Sequence, residues 1–446
     1  MRIKKLTAVL LSAVMAVGML AGCGGSDSGK EETGSVYYLN FKPEVAETWE
    51  KIAKDYTEET GVEVKVQTAA AGTYEQTLKS EIAKKDAPTL FQINGPIGLK
   101  SWKDYCADLS DTELYGQLLD QSMAVSDEDG VFGIPYVEEG YGIIYNNAIM
   151  EKYFALPDKA VDISSAEEIK NFDTLKAVVE DMQAKKADLG IDGVFASTSL
   201  KTGEDWRWQT HLANLPIYYE YKDDNVQDKE AVDFKYADNF KNIFDLYLNN
   251  SCTEPAKLGS KSVEDSMSEF ALGKVAMVQN GNWGWGQVSG VDGNVVKEED
   301  VKFLPIYTGV AGEENQGLCI GTENYFSINS HASEADQKAS IDFITWLFNS
   351  DKGKAYITND LGFIAPFNSF TEDEQPTDPL AKEVIRYMSD ENLTNVSWNF
   401  VSFPSQNFKD MFGADLLSYA QGKMDWNTVK DNMVKNWAEE KAAIAE

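Results

Sequence analysis

A chain of 446 residues is long enough for two or three domains with ample core. Its 73 acids against 40 bases give a formal charge of −33, which argues against nucleic acid and anionic lipid headgroups as partners and for a neutral or cationic ligand. With 43% apolar and 25% charged residues the composition is that of a soluble globular protein, and acidity of this kind also simply keeps an exported protein in solution.

Arg2, Lys4 and Lys5 precede an apolar run over residues 6–20, too short for a comfortable membrane span, which ends in Leu20-Ala21-Gly22-Cys23. This segment resembles a bacterial lipoprotein signal, residues 1–22, with its lipobox. The resemblance implies cleavage before Cys23 and acylation of that cysteine on thiol and amine, more than one chain being what stable anchoring needs. Residues 24–35 are small and polar and read, with Cys23, as a lipidated flexible tether. The folded part is therefore expected to begin near Val36, outside the cytoplasm, tied to a membrane but not embedded in it. Cys106, Cys252 and Cys319 remain. Three cysteines cannot all pair within the chain and their spacing matches no metal or redox motif, so they read as isolated buried thiols with room for one disulfide.

Residues 36–41 predict a buried strand, and Pro43 and Glu44 suit the first turn of a helix. Trp49, Ile52, Ala53 and Tyr56 share one helical face, which Gly61 ends. Residues 62–66 alternate as a second strand, Gly72-Thr73-Tyr74 opens a helix to about Lys85, and residues 89–93 form a third strand running into Asn94-Gly95-Pro96. This β-α-β-α-β order with short loops predicts a parallel α/β sheet, whose ligands bind beyond the strands' carboxyl ends, here 40–44, 68–74 and 94–96.

Farther on, residues 133–146 carry two short β-like runs around Glu138-Glu139-Gly140, and a helix is expected from about Phe172 to Lys185. Trp206-Arg207-Trp208 starts a helical segment holding His211 and Leu212, and residues 234–248 read as an amphipathic helix. Residues 270–287 are the most informative stretch: a helix end, a turn at Gly273, a strand over 275–278, then Asn280-Gly281-Asn282-Trp283-Gly284-Trp285-Gly286. The three glycines permit sharp turns or close approach. The two indoles follow neither a helical nor a strand repeat, which suits stacking on a sugar ring, although most tryptophans are simply buried. Residues 325–328 read as a strand and 339–348 as a helix with Phe343, Ile344 and Leu347 inward. The last hundred residues read as helices separated by loops that include Trp398.

Thr60-Gly61-Val62-Glu63-Val64, residues 133–136 (GIPY), 140–147 (GYGIIYNN), 270–285 and 325–330 decide little singly. Their order and spacing, with the lipobox, resemble the extracellular solute-binding lipoproteins of bacterial ATP-driven sugar importers, the group that includes maltose-binding protein. The resemblance covers essentially everything after the tether. It implies a two-lobed, periplasmic-binding-protein-like α/β fold with multiple crossover hinge strands, closing over ligand. One lobe would be 36–145 plus 304–348 and the other 147–302 plus 350–446, with crossovers near 145–146, 303–305 and 349–351. It further implies a monomeric, membrane-anchored, non-catalytic receptor without cofactor or metal. Such a receptor captures a carbohydrate, expected to be an oligosaccharide, and delivers it to ABC permease subunits. By the resemblance Trp283 takes a sugar-stacking position, with Trp285 two residues on. Glu139 matches a cleft carboxylate that accepts from sugar hydroxyls, Glu138 pointing oppositely if the segment is extended. One of Trp206 and Trp208 supplies another aromatic. Glu44, Tyr74 and Asn94 are placed both by the strand ends and by the resemblance, with capping or turn formation as their alternative role. Trp398 and Phe408 complete the set. The sequence departs from maltose-binding protein around Asn94, so maltose specificity does not follow.

Two other functions compete. A surface glycoside hydrolase needs two carboxylates roughly 5–9 Å apart across the scissile bond, and Glu138-Glu139 would diverge on a strand. His211 and His331 are the chain's two histidines, and no HExxH, nucleophile elbow or phosphate-binding loop occurs. A receptor for a peptide or polyamine would want several cleft carboxylates, whereas Trp206, Trp208, Trp283 and Trp285 favour a sugar.

Overall fold

The computed structural model describes residues 33–371 and 373–445. The expected signal, Cys23 and all but the last three tether residues lie outside them. In chain order the strands are β1 (Val36–Asn40), β2 (Val64–Thr68), β3 (Leu90–Ile93), β4 (Val125–Asp127), β5 (Gly130–Pro135) and β6 (Glu139–Asn146). They continue with β7 (Gly193–Phe195), β8 (Val275–Gly281), β9 (Val301–Leu304), β10 (Gln316–Gly321), β11 (Tyr325–Ile328) and β12 (Thr394–Ser397).

β1 is buried along its whole length and pairs parallel with β2 and β3, the arrangement its apolar run and the short connections predict. The helix Ala46–Thr60 turns Trp49, Ile52, Ala53 and Tyr56 inward and stops where Gly61 takes a left-handed φ of 77°. The helix Tyr74–Ile82 leads back to β3, ending three residues before Lys85. Antiparallel β11 and β5, then β4, complete a first sheet of order β2-β1-β3-β11-β5-β4. Tyr38, Trp49, Tyr136 and Phe326 meet in its core with Phe343, Ile344 and Leu347 of the helix Glu334–Asn349. The second sheet runs β12-β10-β6-β8-β7, with β9 also on β6, and β6 is buried at every position.

These ladders correct the divisions drawn from the sequence. β6 and β9 belong to the second sheet, so the chain leaves the first sheet at 136–138 rather than 145–146, and returns at 322–324 rather than 303–305. A third passage follows Phe367, still packed in the first core, and precedes the helix Pro379–Ser389, whose Leu380 and Val384 pack in the second body. It is not at 349–351. Residues 133–137 and 140–145 are both runs without a charged side chain, and hydrophobicity alone does not say which sheet a buried strand joins.

Other local expectations also shift. Arg207–Leu212 is a π-turn that runs into the helix Ala213–Asp224. The final hundred residues hold β12, a short strand with a single buried position and hence little pattern. Cys106, Cys252 and Cys319 are all free, so no disulfide forms among the described residues. No described helix is long and apolar enough to cross a membrane.

Candidate functional site

The carboxyl end of β1 meets the start of β6. Asn40 fixes the turn that leaves β1: its Nδ2 donates to the Lys42 carbonyl at 2.8 Å, while the Lys42 N–H donates to Asn40 Oδ1 at 3.1 Å. Lys42 Nζ then donates to both carboxylate oxygens of Glu139, at 2.8 and 2.9 Å, with Glu44 Oε1 at 3.8 Å. Lys42 is 4% and Glu139 2% exposed. Burial alone would lower the Lys42 ammonium, but Glu139, followed by Glu44 and Glu323, holds it above its ordinary value. Burial likewise pushes the Glu139 carboxyl up against the pull of Lys42.

Lys42 Nζ also stands 5.7 Å over the ring of Trp283, in cation–π range. Trp283 lies in the turn Asn282–Gly284 just after β8. The glycines of this segment do not serve positive-φ turns, since Gly281 has φ −109° and Gly284 φ −77°. Gly281 instead makes room: a Cβ there would lie 2.2 Å from the Trp283 indole. Trp398, directly after β12, is seated in the same way on Gly321, where a Cβ would come within 2.7 Å of the ring. Gly281 pairs with Tyr141 and Gly321 with Glu139, so the two indoles flank β6. Their centroids are 6.4 Å apart at 83°. Trp206 joins at 6.1 Å from Trp283, and His211 lies 5.5 Å from Trp283 and stacks on Tyr141 at 4.4 Å and 8°. The π-turn widens the helix at this place and brings Trp206 and His211 to one wall. Tyr141 O–H donates to the His211 carbonyl at 2.9 Å. Burial holds the His211 imidazole well below its ordinary value, so it is neutral.

Polar atoms without protein partners lie around these rings. Asn94 Oδ1, Thr322 Oγ1, Asn324 Nδ2 and Trp398 Nε1 are all buried and unpaired. Such atoms call for a hydrogen-bonding group that the protein does not supply. Between Thr322 and Asn324, burial first and then Glu139 and Glu44 push the Glu323 carboxyl up to about 7, against Lys42 and Lys409. Lys409, on the helix Gln406–Ala420, is lowered by burial despite Glu323, Glu75 and Asp410.

The structure thus brings Glu44, Glu139, Trp206, Trp283 and Trp398 to one place, with Asn94 at the end of β3. Four expected residues stand elsewhere. Trp208 is 3% exposed, donates from Nε1 to the Ser199 carbonyl at 3.0 Å and packs on Tyr247, so of the two neighbours Trp206 faces the site. Trp285 opens the short helix Trp285–Ser289 and packs, partly buried, against the core cluster that includes Met267 and Val288. The Tyr74 hydroxyl is held by Gln92, accepting from its N–H at 2.7 Å and donating to its carbonyl at 3.0 Å. Phe408 is in the second core with Phe403 and Trp437. Sequence reasoning did not select Lys42, His211, Glu323 or Lys409 for the site. Lys42 had a signal, lying two residues before Glu44 at a strand end, whereas Glu323 and Lys409 had none.

Indole faces, a buried ion pair and unpaired donors and acceptors suit a ligand with both apolar faces and hydroxyl-like groups. Comparison with known proteins agrees in fold. Solved structures that resemble this one include RafE in complex with raffinose, at 16% identity, covering 92% of this chain and 100% of that one, TM-score 0.69. A sugar transporter from Bacillus licheniformis in complex with stachyose matches at 16% identity, 91% and 100% coverage, TM-score 0.67. Maltose-bound MalE3 of T. maritima matches at 15% identity, 92% and 100% coverage, TM-score 0.66. No curated protein matches. Residues 51–383 match the family described as bacterial extracellular solute-binding protein. That match spans well over half of the sequence, and with the two-sheet fold and the site between the sheets it shows that this chain belongs to the bacterial extracellular solute-binding proteins.

Proposed function

We propose that this chain is a non-catalytic receptor that captures a carbohydrate between two lobes, each built on one sheet, and hands it to an ABC permease. The reading is carried by the convergence of Trp206, Trp283 and Trp398 beside buried, unpaired polar atoms. Sugar rings offer apolar C–H faces to indoles and hydroxyls to exactly such atoms' complementary partners. The sugar ligands of the RafE, Bacillus licheniformis and MalE3 structures support the same class. The sites proposed for ligand contact are Glu44, Asn94, Glu139, Trp206, Trp283 and Trp398, with Lys42 and His211 added. Membership of an extracellular family supports a place outside the cytoplasm, and the lipobox ending at Cys23 supports a lipid anchor on a monomeric receptor.

Calorimetric titration with mono- and oligosaccharides tests this. The parent should bind at least one member, and Trp283→Ala should lose about 2 kcal/mol, roughly thirtyfold in Kd. Undiminished binding by the variant would remove the stacking site. Heat with spermidine or peptides but with no sugar would replace the carbohydrate reading.

A further inference from the structure

Glu323 has no partner in the carbohydrate reading as it stands. It lies on the passage from β10 to β11, two residues beyond Gly321, which pairs with Glu139, and two before Tyr325, which pairs with Ile93 beside Asn94. Its carboxylate makes no hydrogen bond or ion pair among the described residues. Lys42, the ammonium on the β1 side, is already gripped by both oxygens of Glu139. Thr322 (8% exposed) and Asn324 (2%) flank Glu323, and Trp398 (5%) lies on Gly321. Each carries a buried polar atom without a protein partner. Around the site five carboxylates, Glu44, Glu75, Glu139, Glu323 and Asp410, act on two ammonium groups, Lys42 and Lys409.

We propose that the ligand is a carbohydrate bearing a protonated amine, its ammonium on Glu323 and its ring against the Trp283–Trp398 wall. The inference rests on the carbohydrate reading and narrows it. A neutral sugar would use the indoles and the unpaired donors and acceptors but leave the half-buried Glu323 carboxylate without a cationic partner of its own. A polyamine would answer the carboxylates but not the indoles, since Lys42 already occupies the cation position over Trp283. An amino sugar answers both. Burial holds the Glu323 carboxyl up to about 7, so a ligand ammonium at hydrogen-bond distance would draw it into the ionised form on binding.

The test is calorimetric titration of the purified protein at pH 7 with glucose, glucosamine, N-acetylglucosamine and their 1,4-linked dimers, which differ at one substituent per ring. Amine-bearing members should bind at least about tenfold tighter than hydroxyl or N-acetyl counterparts, the difference a charge-assisted hydrogen bond supports. Glu323→Gln should shrink that preference to less than about threefold, while Glu323→Asp retains it, which separates lost charge from lost fold. Equal affinity of neutral and amine-bearing sugars for the parent, a preference that survives in Glu323→Gln, or no heat from any amine-bearing sugar at millimolar concentration overturns the proposal. If neutral sugars bind in those cases, the carbohydrate receptor stands. Binding of spermidine with silence from every sugar removes both.

Discussion

Buried His211 and half-buried Glu323 share one site, yet proton concentration acts on them in opposite ways. His211 is neutral from well below its usual range upward, so sugar affinity should not follow imidazole titration near neutrality. Glu323 is different: its folded value is about 7 against the unperturbed 4.5. Between these values the folded state keeps a proton that the unfolded chain has lost. The contribution of Glu323 to stability is therefore fully present below pH 4.5 and is lost as pH rises through 7. Glu323→Gln stays neutral at every pH and should escape the loss. Its melting temperature should match the parent's near pH 5 and exceed it by a few degrees at pH 8, for a gain on the order of 2 kcal/mol. Melting curves of both proteins from pH 5 to 8 check this, and parallel curves would show that Glu323 is not held in a strained, charge-poor setting.

Strands matter to this site chiefly through what they leave out. β8 and β10 each end in a glycine, and each glycine is the bed of an indole. Gly281, at φ −109° and ψ −178°, has backbone that alanine adopts without strain, so Gly281→Ala tests the bed alone. The added methyl would stand 2.2 Å from the Trp283 ring and must displace it. Sugar affinity should fall about tenfold or more, while folding stability drops by about 1–3 kcal/mol, the usual cost of overpacking. Titration and melting of the variant decide, and parent-like affinity would mean that the indole does not touch ligand. The same stretch shows how far sequence reaches. Trp283 was legible because a strand, three glycines and an indole lie within twelve residues. The start of the first sheet was legible too, its apolar runs and Gly61 carrying their own punctuation. Trp206 and Trp208 could not be separated, because a π-turn alters the angular step that regular helical spacing assumes. Glu323 was invisible, since a lone acid in a turn gains its character only from groups folded against it from far along the chain.

Lobe membership was the largest feature that sequence misplaced, and it governs how ligand would be enclosed. Because the chain crosses at 136–138, 322–324 and again after 367, Glu139 and Glu323 both lie at crossings, where a change of angle between the bodies is concentrated. Away from these crossings the two bodies touch through very small groups. A Cβ on Gly95, next to β3, would lie 3.1 Å from the Val401 side chain, and one on Gly72, after β2, would lie 3.0 Å from the Gly203 carbonyl. Gly95 and Gly72 both have positive φ, at 58° and 69°, so replacing either would add backbone strain to any steric effect. Val401 is the cleaner handle, being partly exposed on the turn Asn399–Ser402. Val401→Trp should prop the bodies apart, Val401 lying only at the edge of the second core. Its melting temperature without ligand should stay within a few degrees of the parent's. Small-angle scattering should show the parent's radius of gyration shrinking on addition of a bound sugar, and the variant's shrinking less. Ligand release from the variant should be at least about tenfold faster, because enclosure acts mainly on the off-rate. A variant that contracts and releases as the parent does would mean that the Gly95–Val401 contact is incidental, and that closure is limited at the crossings themselves.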